Sequence, residues 1–379
     1  MKKKLSFFLI TFVSAVALSI LSFYLFFFLP TVEHVNASKE ELEKNDFSAQ
    51  AQVYLEYFGN NLKHRSGLFS QHHKTQKFII NELKEAGYKD DQITILPIEG
   101  RSGKNIELKV EGEDTSKCII IGAHFDGDGI GDNASGTALL LANACGLYGT
   151  KLPVTTYFMF FDEEESGMIG SEYYAECLTD EEANSVLYMV NIDAIAFGDY
   201  CNIYGGVKNP KTKEITKTEG YYHACSLAKQ LDFHVYTPDK LSGYYEKHGK
   251  GPELDSLGIF TNPWTKENPA PENTVSEELR VYSPATLPAS DHVAFSDRGI
   301  IYIYFEATNW YVKTDYEDAA YLGYTDVGDE TVGDKGFIMN TRYDTLKILN
   351  REYPGRSLEH FKLYSPLLSA LVLQPNIED

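Results

Sequence analysis

Apolar and polar positions follow two different periods along this chain. Residues 38–58 and 71–86 repeat apolar side chains at helical spacing, with Phe78, Ile79 and Leu83 on one face and Gly87 as a stop. Residues 93–98 and 106–110 read as strands. From 118 to 123 the chain is continuously apolar, as expected of a buried parallel strand. Residues 137–148 then read as helix, 154–161 as strand, 171–178 as helix, 186–192 as strand and 216–231 as helix. A strand over 300–305 and an amphipathic helix over 357–373 close the series. Alternating strands and helices predict right-handed crossovers and an α/β fold. Its sheet is expected to be mixed but mostly parallel, with helices on both faces.

The two irregular stretches have different characters. Residues 237–290 are poor in apolar runs and rich in Pro, Gly, Tyr and Glu, and are expected to be an insertion. Residues 315–335 are acidic and read as an exposed loop. At the start, Lys2, Lys3 and Lys4 precede an apolar run from Leu5 to Leu29 that is long enough to cross a bilayer. The expected organisation is a signal-anchor over 1–36, with the chain's main domain over 37–379. Lysines before the run place the N-terminus in the cytoplasm and the domain outside a cell membrane. The competing reading is a cleaved signal and a secreted protein.

Composition narrows the function classes. Of the 379 residues, 34 are Lys or Arg and 55 are Asp or Glu, a formal net charge of -21. Phosphate backbones are held by an excess of Lys and Arg, so no nucleic-acid partner is expected. Five cysteines with no CxxC spacing argue against a thiolate metal site, and Cys118 and Cys145 read as buried thiols.

The candidate chemistry lies at the ends of the apolar runs. His124 and Asp126 follow 118–123, Asp132 comes soon after, Asp162-Glu163-Glu164-Glu165 follows 154–161, and Asp193 follows 186–192. In open α/β sheets ligands collect at the carboxyl ends of strands, so these distant groups are expected to share one site. Several like charges at a strand end are costly unless a cation compensates them. Zinc accepts this mix of imidazole and carboxylate, and the carboxylate-rich set leaves room for two ions. Asp126 stands where a carboxylate can orient the imidazole. Adjacent glutamates point apart, so one can bind metal while the other takes a proton from water. Asn133-Ala134-Ser135 matches a glycosylation sequon, but a sugar there would obstruct this site. His292, in Ser290-Asp291-His292, could line the cleft. His72, His73, His223, His234, His248 and His360 read as ordinary surface or core histidines.

Four segments taken together resemble the zinc aminopeptidases of the bacterial leucyl aminopeptidase type, metallopeptidase family twenty-eight. They are Ala123-His124-Phe125-Asp126, Asp132-Asn133-Ala134-Ser135-Gly136, Glu164-Glu165-Ser166-Gly167 with Gly170-Ser171, and Asn191-Ile192-Asp193. The resemblance runs from about residue 50 onward, and Ser290-Asp291-His292 and Asp344-Thr345 fall where the family has similar segments. It implies a zinc-exopeptidase fold and removal of N-terminal residues from peptides. It makes Asp132 the carboxylate bridging two zinc ions. His124 and Asp193 would complete one ion's shell, and Glu165 would bind the other. Glu164 becomes the general base acting on the bridging water, and Asp126 orients His124.

One position departs from the family. Asn340 in Met339-Asn340-Thr341 stands where the last ligand is a histidine. An amide oxygen is a weaker zinc ligand than imidazole, so the second ion is expected to bind less tightly. This departure leaves open a weak or inactive binding protein on the same fold; a one-metal glutaminyl cyclase-like transferase is a third reading, against which the lost ligand counts.

Overall fold

The structure, a computed structural model, describes residues 44–67, 70–198, 200–209, 211–212, 214–236, 278–280, 290–308 and 338–377. The expected anchor over 1–36, the 315–335 loop and most of the 237–290 insertion lie outside the described residues. Among the described residues, no helix is long and apolar enough to cross a membrane.

In chain order come α1 (Ser48–Asn61), α2 (Ser70–Ala86), β1 (Ile93–Pro97), β2 (Lys104–Val110), β3 (Asp114–His124), α3 (Ala134–Gly146) and β4 (Val154–Phe161). Next are α4 (Ile169–Cys177), α5 (Asp180–Ser185), β5 (Val186–Ile192), β6 (Tyr200–Tyr204), the short pair β7 (Val207–Lys208) and β8 (Ile215–Thr216), α6 (Glu219–Gln230) and β9 (His234–Tyr236). The remaining elements are β10 (Glu278–Arg280), α7 (His292–Asp297), β11 (Tyr302–Thr308), α8 (Leu346–Glu352) and α9 (Arg356–Leu373).

Nine strands form one sheet in the order β1-β2-β4-β3-β5-β11-β6-β10-β9. The pairings of β1 with β2, β2 with β4 and β11 with β6 are antiparallel. The other five are parallel, so the expected mixed, mostly parallel sheet is what forms. One piece of the expected insertion, β10, pairs between β6 and β9 as part of this sheet.

Alternation along β3 shows how the two faces are covered. Ile119, Ile121 and Ala123 belong to one buried cluster with Leu139, Leu140 and the α9 residues Leu367 and Leu371. Ile120 joins Met159, Phe161 and Met189 in a second cluster under Ala175 of α4 and Phe295 of α7. Successive side chains on a strand point to opposite faces, which explains the split. Each such fully buried aliphatic or aromatic side chain stabilises the fold by about 1.5–3 kcal/mol. Helix α3 is buried on every side from Ala134 to Ala144, in keeping with an apolar run that shows no polar stripe. Gly136 is required there, because a Cβ would lie 2.4 Å from the Ile192 carbonyl oxygen. That close approach sets the start of α3 against the end of β5.

Candidate metal centre

Three parallel neighbours define the site. His124 is the last residue of β3 and pairs with Phe161, the last of β4. Ile192, the last of β5, pairs with Phe305 on β11, and Gly122 pairs with Asn191. Because β3, β4 and β5 run the same way, the residues after each strand emerge along one edge. Asp126 and Asp132, the acidic run 162–165 and Asp193 therefore meet.

The meeting point is the His124 imidazole, which is 1% exposed. Its Nδ1 lies 3.3 Å from Asp126 Oδ1, and its Nε2 lies 3.1 Å from Asp132 Oδ1, 3.4 Å from Asp193 Oδ1 and 3.8 Å from Glu164 Oε2. Among the described residues, His124, Glu164 and Asp193 form a group in which one ligand atom from each lies within 4.8 Å of the others. Both ring nitrogens of His124, Asp132 Oδ1 and Asp193 Oδ1 are buried and make no hydrogen bond. Buried polar atoms are normally satisfied, so the convergence of His124 Nε2, Asp132 Oδ1 and Asp193 Oδ1 without partners fits a cation that they ligate.

The charge state of the cluster agrees. Burial pushes Glu164 up to about 9, with Asp291, Asp193 and Asp132 adding to the rise against the pull of His124. Burial and Asp193 also raise Asp132. For His124, burial opposes the charged form, but Glu164, Asp193, Asp126 and Asp132 outweigh it and hold the imidazole well above its ordinary value. Asp193 is likewise opposed by burial, yet His124 and Ser290 hold it below the usual carboxylate range. Crowded carboxylates in a desolvated pocket are stabilised when a divalent ion enters.

Backbone and neighbouring side chains hold this geometry. Asp126 accepts hydrogen bonds from the backbone N–H groups of Glu164 and Glu165 at 3.2 and 3.3 Å, besides facing His124. Thr137 Oγ1 donates to the His124 carbonyl at 2.7 Å. Ser290 Oγ donates to Asp193 Oδ2 at 2.8 Å and accepts from Asn191 Nδ2 at 2.7 Å. Asp344 accepts from the Gly131 and Asp132 N–H groups at 2.6 and 3.2 Å. Backbone strain clusters here too, because Glu163, Ala194 and Asn340 all have positive φ. The Asp132–Asn133 peptide bond is cis.

The remaining sequence candidates are placed as follows. Glu165 is exposed, and Gly127 packs so closely that a Cβ there would lie 2.6 Å from Glu165 Oε1. Asn340 donates from Nδ2 to Asp132 Oδ2 at 2.9 Å, so its amide nitrogen, not its oxygen, faces the carboxylate. Glu165, like Asp132, stands outside the group of His124, Glu164 and Asp193. The His292 ring is held against Tyr302 and Tyr304, with centroids 4.5 and 4.7 Å away. Asn133 and Ser135 of the sequon are fully buried, and Asn133 Nδ2 donates to the Ile192 carbonyl at 2.8 Å, which leaves no room for a sugar. The five cysteines are all free thiols.

Sequence reasoning missed three supports. His72 Nε2 lies 2.9 and 3.0 Å from the two oxygens of Asp162, both residues being buried at the root of the acidic run. Arg65 is fully buried and donates to the carbonyls of Leu62, Phe125 and Gly129, bracing the segment after β3. Asp291 is fully buried beside Ser171, and burial raises it to about 7. Arg65 and His72 carried no signal of spacing, because their partners lie 60 to 90 residues away.

Residues 105–238 match the model of peptidase family M28. Leucine aminopeptidase 2 of Trichophyton equinum is 34% identical over 113 residues, covering 28% of this chain and 23% of that protein. Aminopeptidase Y of Saccharomyces cerevisiae is 34% identical over 133 residues, covering 33% and 25%. The match thus spans about a quarter of the length of these curated relatives. Among solved structures, the LapA aminopeptidase of Legionella pneumophila superposes with a TM-score of 0.56 at 15% identity, over 93% of this chain and 78% of its own. A glutaminyl cyclase from an Acidobacteriales bacterium does so with a TM-score of 0.52 at 16% identity, over 92% and 99%. At such identities the likeness shows the shared fold, a central sheet flanked by helices.

Proposed function

We propose that this chain, whose residues 105–238 match the model of peptidase family M28, is a metal-dependent aminopeptidase that removes N-terminal residues from peptides. One observation carries the reading: three buried atoms, His124 Nε2, Asp132 Oδ1 and Asp193 Oδ1, converge without hydrogen-bond partners at the carboxyl edge of the sheet. A zinc ion held by these residues would polarise the scissile carbonyl and make water a stronger nucleophile. Glu164 is the general base. Its carboxylate belongs to the same group, takes the proton of the attacking water and passes it to the departing amine. Asp126 keeps base and imidazole in register, because one carboxylate touches His124 and both glutamate N–H groups. The substrate's cationic N-terminus is drawn to the remaining carboxylates, Glu165 being the most accessible.

Asn340 supports one tightly held ion and a weaker second. Its amide N–H occupies the Asp132 oxygen that a second ion would use. A single-ion glutaminyl cyclase-like transferase is the second reading, since a glutaminyl cyclase shares this fold. Glu164→Gln tests the first. It should lower aminoacyl-nitroanilide hydrolysis by roughly 10²–10⁴-fold while zinc content and the circular dichroism spectrum stay at wild-type values. Wild-type activity in that variant would remove Glu164 from the mechanism. Pyroglutamate formation from glutaminyl peptides, without peptide hydrolysis, would favour the transferase.

Export and anchoring in a cell membrane by residues 1–36 belong to this proposal as well. They rest on Lys2, Lys3 and Lys4 ahead of the apolar run. Carbonate-resistant sedimentation of the full chain, with its domain open to external protease, is the expected result. Release of a shortened chain into the medium would indicate cleavage instead.

A further inference from the structure

A second concavity adjoins the centre on the Asn340 side. It has a volume of about 690 Å³ and is lined from the end of α1, the segment after Asp126, residues 340–345 and the start of α8. Asn340 forms the shared wall, since its amide contacts both the cavity and Asp132. A peptide with its N-terminal residue at the carboxylate cluster needs room for the residues that follow, and this cavity offers it.

Its charge is opposite to that of the molecule. Acids outnumber Lys and Arg by 55 to 34 over the whole chain. Here the lining carries Lys63, Arg342 and Lys347, with His64, against only Asp128 and Asp344. Both acids are already engaged. Asp128 Oδ2 lies 3.1 Å from His64 Nδ1, and the buried Asp344 accepts from the Gly131 and Asp132 N–H groups. Arg342 is pre-positioned, its guanidinium 4.9 Å from the centre of the Tyr343 ring and its Nη2 donating to the Tyr343 hydroxyl. Among the described residues, Lys63, Arg342 and Lys347 form no ion pair with an acid of the chain itself. Three cations facing one cavity in an otherwise acidic protein are arranged to receive an anion.

We infer that this cavity binds a carboxylate on the departing side of the substrate, so that the preferred substrates are short peptides with a free C-terminus or peptides with an acidic residue just past the scissile bond. The inference rests on the aminopeptidase reading above. Lys63 and Lys347 are specificity-determining residues in it, and Glu164 and the metal cluster act equally on every substrate.

The test uses the zinc-loaded full chain and three peptides: Leu-Ala-Gly with a free C-terminus, the same peptide as its C-terminal amide, and Leu-Asp-Gly amide. The kcat/KM ratio of free acid to amide should be roughly fivefold or more, the scale of exposed charge pairs, and should fall toward one in about 0.5 M NaCl. The Leu-Asp-Gly amide arm tells whether a side-chain carboxylate serves as well as a terminal one. In the Lys63→Ala/Lys347→Ala double variant the ratio should drop severalfold. A wild-type kcat/KM for both carboxylate-bearing peptides no higher than that for Leu-Ala-Gly amide, or a preference unmoved by the double variant, overturns the inference alone. No hydrolysis of any of the three peptides overturns the peptidase reading and the inference with it.

Discussion

The two sides of the candidate metal centre are built differently. The side formed by His124, Asp126 and Asp193 hangs from the ends of adjacent parallel strands, and all three residues are buried. The side formed by Glu165 and Asn340 comes from loops, and both residues are exposed. Strand pairing sets the first side to within hydrogen-bond tolerance, because a register shift would break several ladder bonds at once. The second side depends on single contacts, such as the Asn340 amide on Asp132. The fold therefore constrains side-chain type less at Asn340 than at the strand-end positions.

Experiments can break or sharpen this contrast. The largest effect is expected at Asp126, which ties the imidazole to the glutamate loop. Asp126→Asn should lower zinc affinity and kcat together by roughly 10- to 100-fold, the scale for groups that orient metal ligands. Titration with a fluorescent zinc chelator and nitroanilide kinetics read both, and a fall in only one would separate the two tasks. His72→Leu removes one partner of the buried Asp162 carboxylate, which keeps only the Lys104 and Glu163 N–H donors. It should cost about 1–3 kcal/mol of stability in urea unfolding. A cost near zero would mean that the acidic run is held without it.

On the exposed side, Asn340→His should raise affinity for a second zinc equivalent by about tenfold, or 1.4 kcal/mol. Histidine is among the residues that tolerate the positive φ of this position. Isothermal titration distinguishes one bound equivalent from two. If the variant still binds only one ion, Glu165 does not complete a second shell.

A further effect is a pH slope. His360 Nδ1 donates to the carbonyl of Ile195, just beyond Asp193. Burial, with Arg356 adding, lowers His360 to about 3 from the ordinary 6.5. The unfolded chain therefore binds the extra proton between those values and the folded chain does not. The associated stability is fully present above about pH 6.5 and is lost as pH falls toward 3, at up to about 1.4 kcal/mol per pH unit. In His360→Gln that part of the slope should vanish from urea midpoints measured between pH 4 and pH 7. An unchanged profile would assign the acid sensitivity elsewhere.

Much of the frame was legible because local patterns carry it. The apolar run at 118–123 became the core of β3, extended to Asp114–His124 by pairing at its first residue with Val154. The helix expected over 216–231 forms as Glu219–Gln230, and that over 357–373 as Arg356–Leu373. Element ends moved by a few residues because caps and neighbours, not periodicity, decide them. The candidate residues were legible as residue types at strand ends, and their convergence follows from parallel strands sharing an edge.

What the sequence by itself determined is the α/β alternation and the clustering of His124, Asp126, Asp132, Glu164 and Asp193 after apolar runs, since both are written in short-range order. Only the tertiary structure decided the rest. His72 meets Asp162, Arg65 lies beneath Phe125 and Gly129, Ser290 reaches Asp193, and a cationic cavity opens beside Asn340. The side-chain contacts join residues 60 to 97 positions apart. Their energies depend on burial and distance, and neither quantity exists until the chain has folded.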